Sequence, residues 1–216
     1  MTPFPLQARL DAAFAQLPLV AILRGLRPEE AAPIATTLYE AGFRLIEVPL
    51  NSPQPFDSIA AIRRLLPQDA LVGAGTVLQA ADVGRLADLG AELVVMPHAD
   101  TVVISAAAKA GLLCTPGIAT PTEAFAALAA GAAALKIFPA EMVGPPVVKA
   151  MRAVLPKGTR LLPVGGITPT TMAPFLEAGA AGFGLGSALY KPGMTVADVA
   201  AAARRFTEAW RALHPA

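Results

Sequence analysis

Cysteine is nearly absent from the chain, and a single copy excludes any disulfide within it. That residue, Cys114, sits in the apolar run Leu112 to Thr115, the setting of a buried structural thiol rather than of a nucleophile. Histidine is almost as scarce. Only His98 and His214 are present, the second almost at the C-terminus, which speaks against metal catalysis, and no cofactor is expected. Charge of either sign is thin: Asp, Glu, Lys and Arg make up 15% of the 216 residues, with a formal net charge of +1 and the basic residues scattered. No electrostatic footprint for nucleic acid or an anionic membrane surface results, so the expected partner is a small molecule. Long apolar runs are missing as well. Mean hydropathy is +0.55, but the longest uncharged apolar stretch, Ala124 to Leu135, falls well short of the roughly 18 residues of a spanning helix and contains Gly131. No basic segment followed by an apolar core and a small-residue cleavage site opens the chain, so a cytoplasmic location is the expectation.

What is abundant is apolar material, 55% of residues, enough for one large core in a single domain over 1–216. Short β-rich runs centre near Ile22, Glu47, Gly73, Val94, Cys114, Lys136, Pro163 and Leu185, separated by helix-length amphipathic segments. Thr120-Pro121-Thr122-Glu123 offers an N-cap, a proline at N1 and a capping-box glutamate, while Thr168-Pro169 and Arg27-Pro28 place proline in other first turns. Gly42, Gly90, Gly111, Gly131 and Gly179 each follow a helical segment, where a left-handed residue closes a helix. Strict alternation implies a parallel sheet, and eight such units favour an α/β (β/α)8 TIM barrel over an open doubly wound sheet. Leu6 to Gln16 reads as an extra N-terminal helix plugging the bottom of the barrel, and Val196 to Leu213 as the last helix, with Trp210 in a packing role. Alanine-rich helices with few charges leave apolar faces for contact between subunits.

Barrels carry chemistry at the carboxyl ends of their strands, so charged residues near those ends are informative. Lys136 interrupts Ala134-Leu135-Lys136-Ile137-Phe138-Pro139, and Glu47 interrupts Leu45-Ile46-Glu47-Val48-Pro49-Leu50. Burying either charge without a partner is costly, which favours function over a solvated surface role. A dry pocket lowers a lysine pKa toward the range where the neutral amine can attack a ketone. The second and sixth runs lie across the barrel from each other, so Glu47 could shuttle protons at a substrate held by Lys136, directly or through water. Val164-Gly165-Gly166 and Gly184-Leu185-Gly186-Ser187 follow the seventh and eighth runs, where barrels place a phosphate, with the amino end of a following short helix adding its dipole. Arg24 could clamp a carboxylate or phosphate, a helix-capping or loop salt bridge being the competing account; Thr76 could offer a hydroxyl or serve a structural turn.

At these residues the chain resembles the 2-keto-3-deoxy-phosphogluconate and phosphogalactonate aldolases, class I enzymes on a trimeric barrel. The likeness runs from about Leu17 to Tyr190, through Glu47, Gly73-Ala74-Gly75-Thr76-Val77, Lys136-Ile137-Phe138-Pro139-Ala140, Gly165-Gly166 and Gly186-Ser187. It implies imine formation at Lys136, acid/base work at Glu47, and substrate binding by Arg24, Asn51, Thr76, Gly165, Gly166, Gly186 and Ser187. The gluconate type carries an arginine four residues after the glutamate, where this chain has Asn51, so Glu47-Val48-Pro49-Leu50-Asn51-Ser52-Pro53-Gln54 looks like the galactonate branch. Ala140-Glu141 looks more like the gluconate type. The implied partners are a phosphorylated 2-keto-3-deoxy sugar acid, pyruvate and glyceraldehyde 3-phosphate in a homotrimer. The gluconate epimer is the alternative substrate, and a phosphosugar-binding barrel without chemistry the alternative of another class.

Overall fold

The computed structural model describes residues 6–214, in which helices and short strands alternate. Their order is α1 (Leu6–Gln16), β1 (Leu19–Ile22), α2 (Pro28–Glu40), β2 (Leu45–Pro49), α3 (Pro55–Leu65), β3 (Leu71–Gly75), α4 (Ala80–Asp88), β4 (Leu93–Val95) and α5 (Thr101–Lys109). Then come β5 (Leu113–Thr115), β6 (Gly117–Ile118), α6 (Pro121–Ala129), β7 (Leu135–Ile137), α7 (Ala140–Val154), β8 (Leu161–Pro163), α8 (Met172–Glu177), β9 (Phe183–Leu185) and α9 (Val196–Leu213). Every strand pairing is parallel, in one ladder ordered β5-β4-β3-β2-β1-β9 and another ordered β6-β7-β8. The result is a curled parallel sheet with helices, an α/β fold. A bridge between Val164 and Gly184 and the bond from Ala181 N–H to the Leu161 carbonyl (2.9 Å) join β8 to β9.

The fifth β-rich run is two strands, not one. Pro116 separates them because it has no N–H to give a ladder, although its carbonyl still accepts from Lys136 N–H at 2.9 Å. Gly117 follows because the chain there passes against the Pro97 carbonyl, where a Cβ would collide. The capping box at Thr120 forms as its sequence specifies: Thr120 Oγ1 accepts from Glu123 N–H at 3.4 Å, and Glu123 Oε2 accepts from Thr120 N–H at 2.8 Å. Pro28 stands at the first position of α2, and the five helix-closing glycines have positive φ. Thr168-Pro169 departs from expectation. Thr171 N–H bonds the Thr168 carbonyl (3.1 Å) and Thr171 Oγ1 accepts from Thr168 N–H (2.9 Å), closing a turn that delays α8 until Met172.

Side chains alternate along each strand. Ile46, Val48, Val72, Ala74, Val94 and Cys114 face the helices in the main core, and the Cys114 thiol, pushed up to about 12 by burial, is inert there. Leu45, Leu71, Leu93 and Leu113, near the starts of their strands, point the other way and cluster with Leu10 and Ala13 of α1. The buried Leu10 side chain contributes about 2 kcal/mol to that contact. Polar links fasten the same end: Glu92 accepts from Arg9 of α1 (2.5 Å), from Arg63 of α3 (2.8 Å) and from Val72 N–H (3.0 Å). Trp210 of α9 packs edge-on to Phe183 with centroids 6.5 Å apart, in the packing role its sequence position suggests.

Candidate active site

The pleat that turns Leu45 inward does the same for Glu47, two residues on, and Lys136 in β7 faces the same interior. Glu47 is 2% exposed and Lys136 6%. A small inner chamber of about 30 Å³ separates them, lined by Val20, Ile22, Val95, Thr115, Leu162 and Val164 as well as by the pair itself. Its volume is that of one water molecule. The Glu47 carboxyl rests on Gly75, where any Cβ would overlap it, so β3 needs glycine at this point. Glu47 Oε2 has no hydrogen-bond partner among the described residues.

Burial governs the electrostatics of both groups. It pushes the Glu47 carboxyl up to about 7 against the opposing pull of Lys136 and Arg24. It also lowers the Lys136 ammonium below its ordinary value; Glu47 opposes the shift and Arg24 reinforces it. Glu47 is therefore poised to hold and release a proton near neutrality, beside an amine that burial makes easier to deprotonate. The Lys136 Nζ lies 4.4 Å from the centroid of the Phe138 ring, within cation–π range.

Lys136 also lines a larger cavity of about 540 Å³ that opens at the carboxyl ends of the strands. Arg24, two residues past β1, and Asn51, two past β2, meet at its rim: Arg24 Nη1 donates to Asn51 Oδ1 at 2.7 Å. Beside them Gly25 N–H donates to Ser52 Oγ at 2.9 Å, so two bonds stitch the first two loops together. The competing account of Arg24 as half of a loop salt bridge is not what the structure shows, since its partner is neutral. On the far wall lie Gly165, Gly166, Gly186 and Ser187. Among the described residues neither the Gly166 nor the Ser187 N–H donates to a protein acceptor, which leaves both for a ligand. The expected short helix after Gly186 is only one turn, with Leu189 and Tyr190 N–H bonded to the Gly186 carbonyl. Backbone amides rather than a helix dipole face this wall.

Thr76 has a positive φ of 53°, a strained conformation for a β-branched residue, and it does not line the large cavity. Sequence reasoning singled out the other site residues that meet here and missed Phe138, Tyr190, Lys191 and Glu141, which also line it. The Phe138 position, two residues beyond Lys136, was the one readable signal, since alternation places both on one face.

The sequence pattern of the family described as KDPG and KHG aldolase matches residues 10–204, and the chain belongs to that family. It is thus an aldolase, a lyase. It is 52% identical to a probable 2-dehydro-3-deoxy-6-phosphogalactonate aldolase of Rhizobium meliloti (strain 1021), over 84% of this chain and 86% of that one. Identity is 48% to the 2-dehydro-3-deoxy-6-phosphogalactonate aldolase of Escherichia coli (strain K12), over 91% and 96% of the two chains. A solved structure described as native KDPGal superposes with a TM-score of 0.90 at 48% identity, over 91% of this chain and 96% of that one.

Proposed function

We propose that this chain cleaves 2-dehydro-3-deoxy-6-phosphogalactonate to pyruvate and glyceraldehyde 3-phosphate through an imine on Lys136. The observation that carries the reading is the buried Lys136 facing the buried Glu47 across a chamber of one water's volume. The neutral Lys136 amine attacks the C2 ketone, and loss of water leaves a protonated imine. Glu47, directly or through water in the chamber, takes the C4 hydroxyl proton. The C3 to C4 bond then breaks, its electrons passing to the imine to give an enamine while the phosphorylated aldehyde departs. Protonation at C3 and hydrolysis return pyruvate and the amine. Arg24, held by Asn51, takes the substrate carboxylate, and the amides of Gly165, Gly166, Gly186 and Ser187 take the phosphate; Thr76, which lines neither cavity, has no part in this scheme. No cofactor enters this scheme.

The neutral Asn51 on Arg24 supports the galactonate over the gluconate epimer. A phosphosugar binder without chemistry has no use for a buried lysine and glutamate in mutual reach. The same reading takes the two ladders as one closed eight-stranded (β/α)8 barrel domain, with β5 and β6 as pieces of one strand and α1 as the plug beneath it. We further propose a cytoplasmic homotrimer, a state that suits the exposed Val102 (67%), Phe125 (47%) and Met142 (83%). Pyruvate followed by borohydride should leave a reduced adduct on Lys136, and Lys136→Ala should fold, trap nothing and lose turnover. An adduct on another lysine, or full activity in the variant, would sink the mechanism. Steady-state rates on both epimers decide the substrate.

A further inference from the structure

We infer that Glu141 is a specificity-determining residue: its carboxylate rests in the glycine notch of the cavity and competes with the phosphate of the substrate for that place. The inference depends on the proposed placement of phosphate at the glycine turns. Glu141 is the second residue of α7, in a single turn that the non-helical Gly144 (φ 66°) separates from the rest of the helix. Its side chain crosses from there to the loop after β8. A Cβ on Gly166 would lie 2.7 Å from Glu141 Cγ and 3.1 Å from its Cδ, and a Cβ on Gly165 would overlap Oε2. The two glycines are thus the floor on which this carboxylate lies. Among the described residues Glu141 forms no ion pair, and the cations lining the cavity with it are Arg24, Lys136 and Lys191. It is the one carboxylate lining that cavity among the described residues.

An arriving phosphate dianion meets a like charge at the turn expected to receive it, so binding requires the Glu141 side chain to rotate away. Exposure at the cavity mouth makes that rotation inexpensive, and the carboxylate can return as the phosphorylated aldehyde leaves. A terminal group carrying one hydroxyl instead of a phosphate meets an acceptor rather than a repelling charge. Glu141 therefore weakens phosphate binding and narrows the preference for phosphorylated over unphosphorylated substrate.

The test compares the native protein with Glu141→Gln, which keeps the shape and removes the charge, and with Glu141→Asp, which keeps the charge on a shorter arm. Inorganic phosphate is used as a competitive inhibitor of cleavage at low ionic strength, and the pyruvate adduct on Lys136 reports that each variant is folded. In Glu141→Gln the inhibition constant for phosphate and the KM for the phosphorylated substrate should fall by about fivefold or more, the scale of a like-charge contact in a watery cleft. Added salt should shrink the difference, and Glu141→Asp should lie between the two. Equal phosphate inhibition in native and Gln forms, or a KM that rises in the Gln form, overturns the proposal while leaving the phosphate site standing. Phosphate that competes in neither form overturns both.

Discussion

Glu47 has no charged neighbour close enough to form an ion pair among the described residues, so its proton affinity is set by dehydration. Its carboxyl titrates at about 7 in the folded chain against an ordinary value of 4.5. Below about pH 4.5 it is protonated in both folded and unfolded states and contributes no difference. Between 4.5 and 7 the folded state holds the proton more tightly, so stability falls as pH rises. Above about 7 the cost is constant, at up to about 3 kcal/mol. Glu47→Gln should accordingly be more stable than the native protein at pH 8 and indistinguishable from it at pH 4, as thermal melts at the two values will show. Asn51 makes a smaller and different contribution, since it holds a guanidinium rather than a proton. Removing its amide in Asn51→Ala frees Arg24 to wander, and KM should rise about fivefold, equivalent to about 1 kcal/mol, with kcat changed little. At this scale the sequence was highly legible for Lys136 and Glu47, because a charge inside an apolar strand stands out against its neighbours. Glu141 was not, because nothing near it in the chain reveals that it lies across a loop about twenty-five residues further on.

Elements were legible where their boundaries are set locally. The Thr120 box and the Pro28 start each need only three or four consecutive residues, and both formed as their sequences specify. The start of α8 failed because the hydroxyls and carbonyl of Thr168 and Thr171 bond each other, an outcome that composition alone does not separate from a helix cap. The break at Pro116 was likewise invisible to a reading by periodicity, which sees apolar residues on both sides of it. The fastening of α1 is another product of distance in sequence: Arg9, Arg63 and Glu92 come from three elements and meet in the interior. Glu92→Ala leaves two guanidinium groups there without their carboxylate. It should cost about 3 kcal/mol, read as a lower midpoint in urea unfolding. Amide exchange in α1 should quicken in the same variant.

At the scale of the molecule, parallel alternation followed from the order of helical and extended patterns, and the large cavity opens at the carboxyl ends of the strands. What the order of elements did not reveal is that hydrogen bonding divides into a ladder of six strands and a ladder of three. Glu47 belongs to the first and Lys136 to the second. The joints between them are short: the turn through Pro116 with the Ala133 N–H bond to the Cys114 carbonyl (2.8 Å) on one side, and the Val164 to Gly184 bridge with the Ala181 bond on the other. Backbone amides of β6, β7 and β8 should therefore exchange with deuterium sooner than those of β1, β2 and β3, a difference mass spectrometry of peptic fragments will resolve. Amine and carboxylate therefore stand on different ladders of hydrogen bonds within the one sheet. Any motion at the two seams changes the span between Lys136 and Glu47, and the Pro116 carbonyl, bonded to the Lys136 N–H, ties one seam directly to the strand that carries the amine.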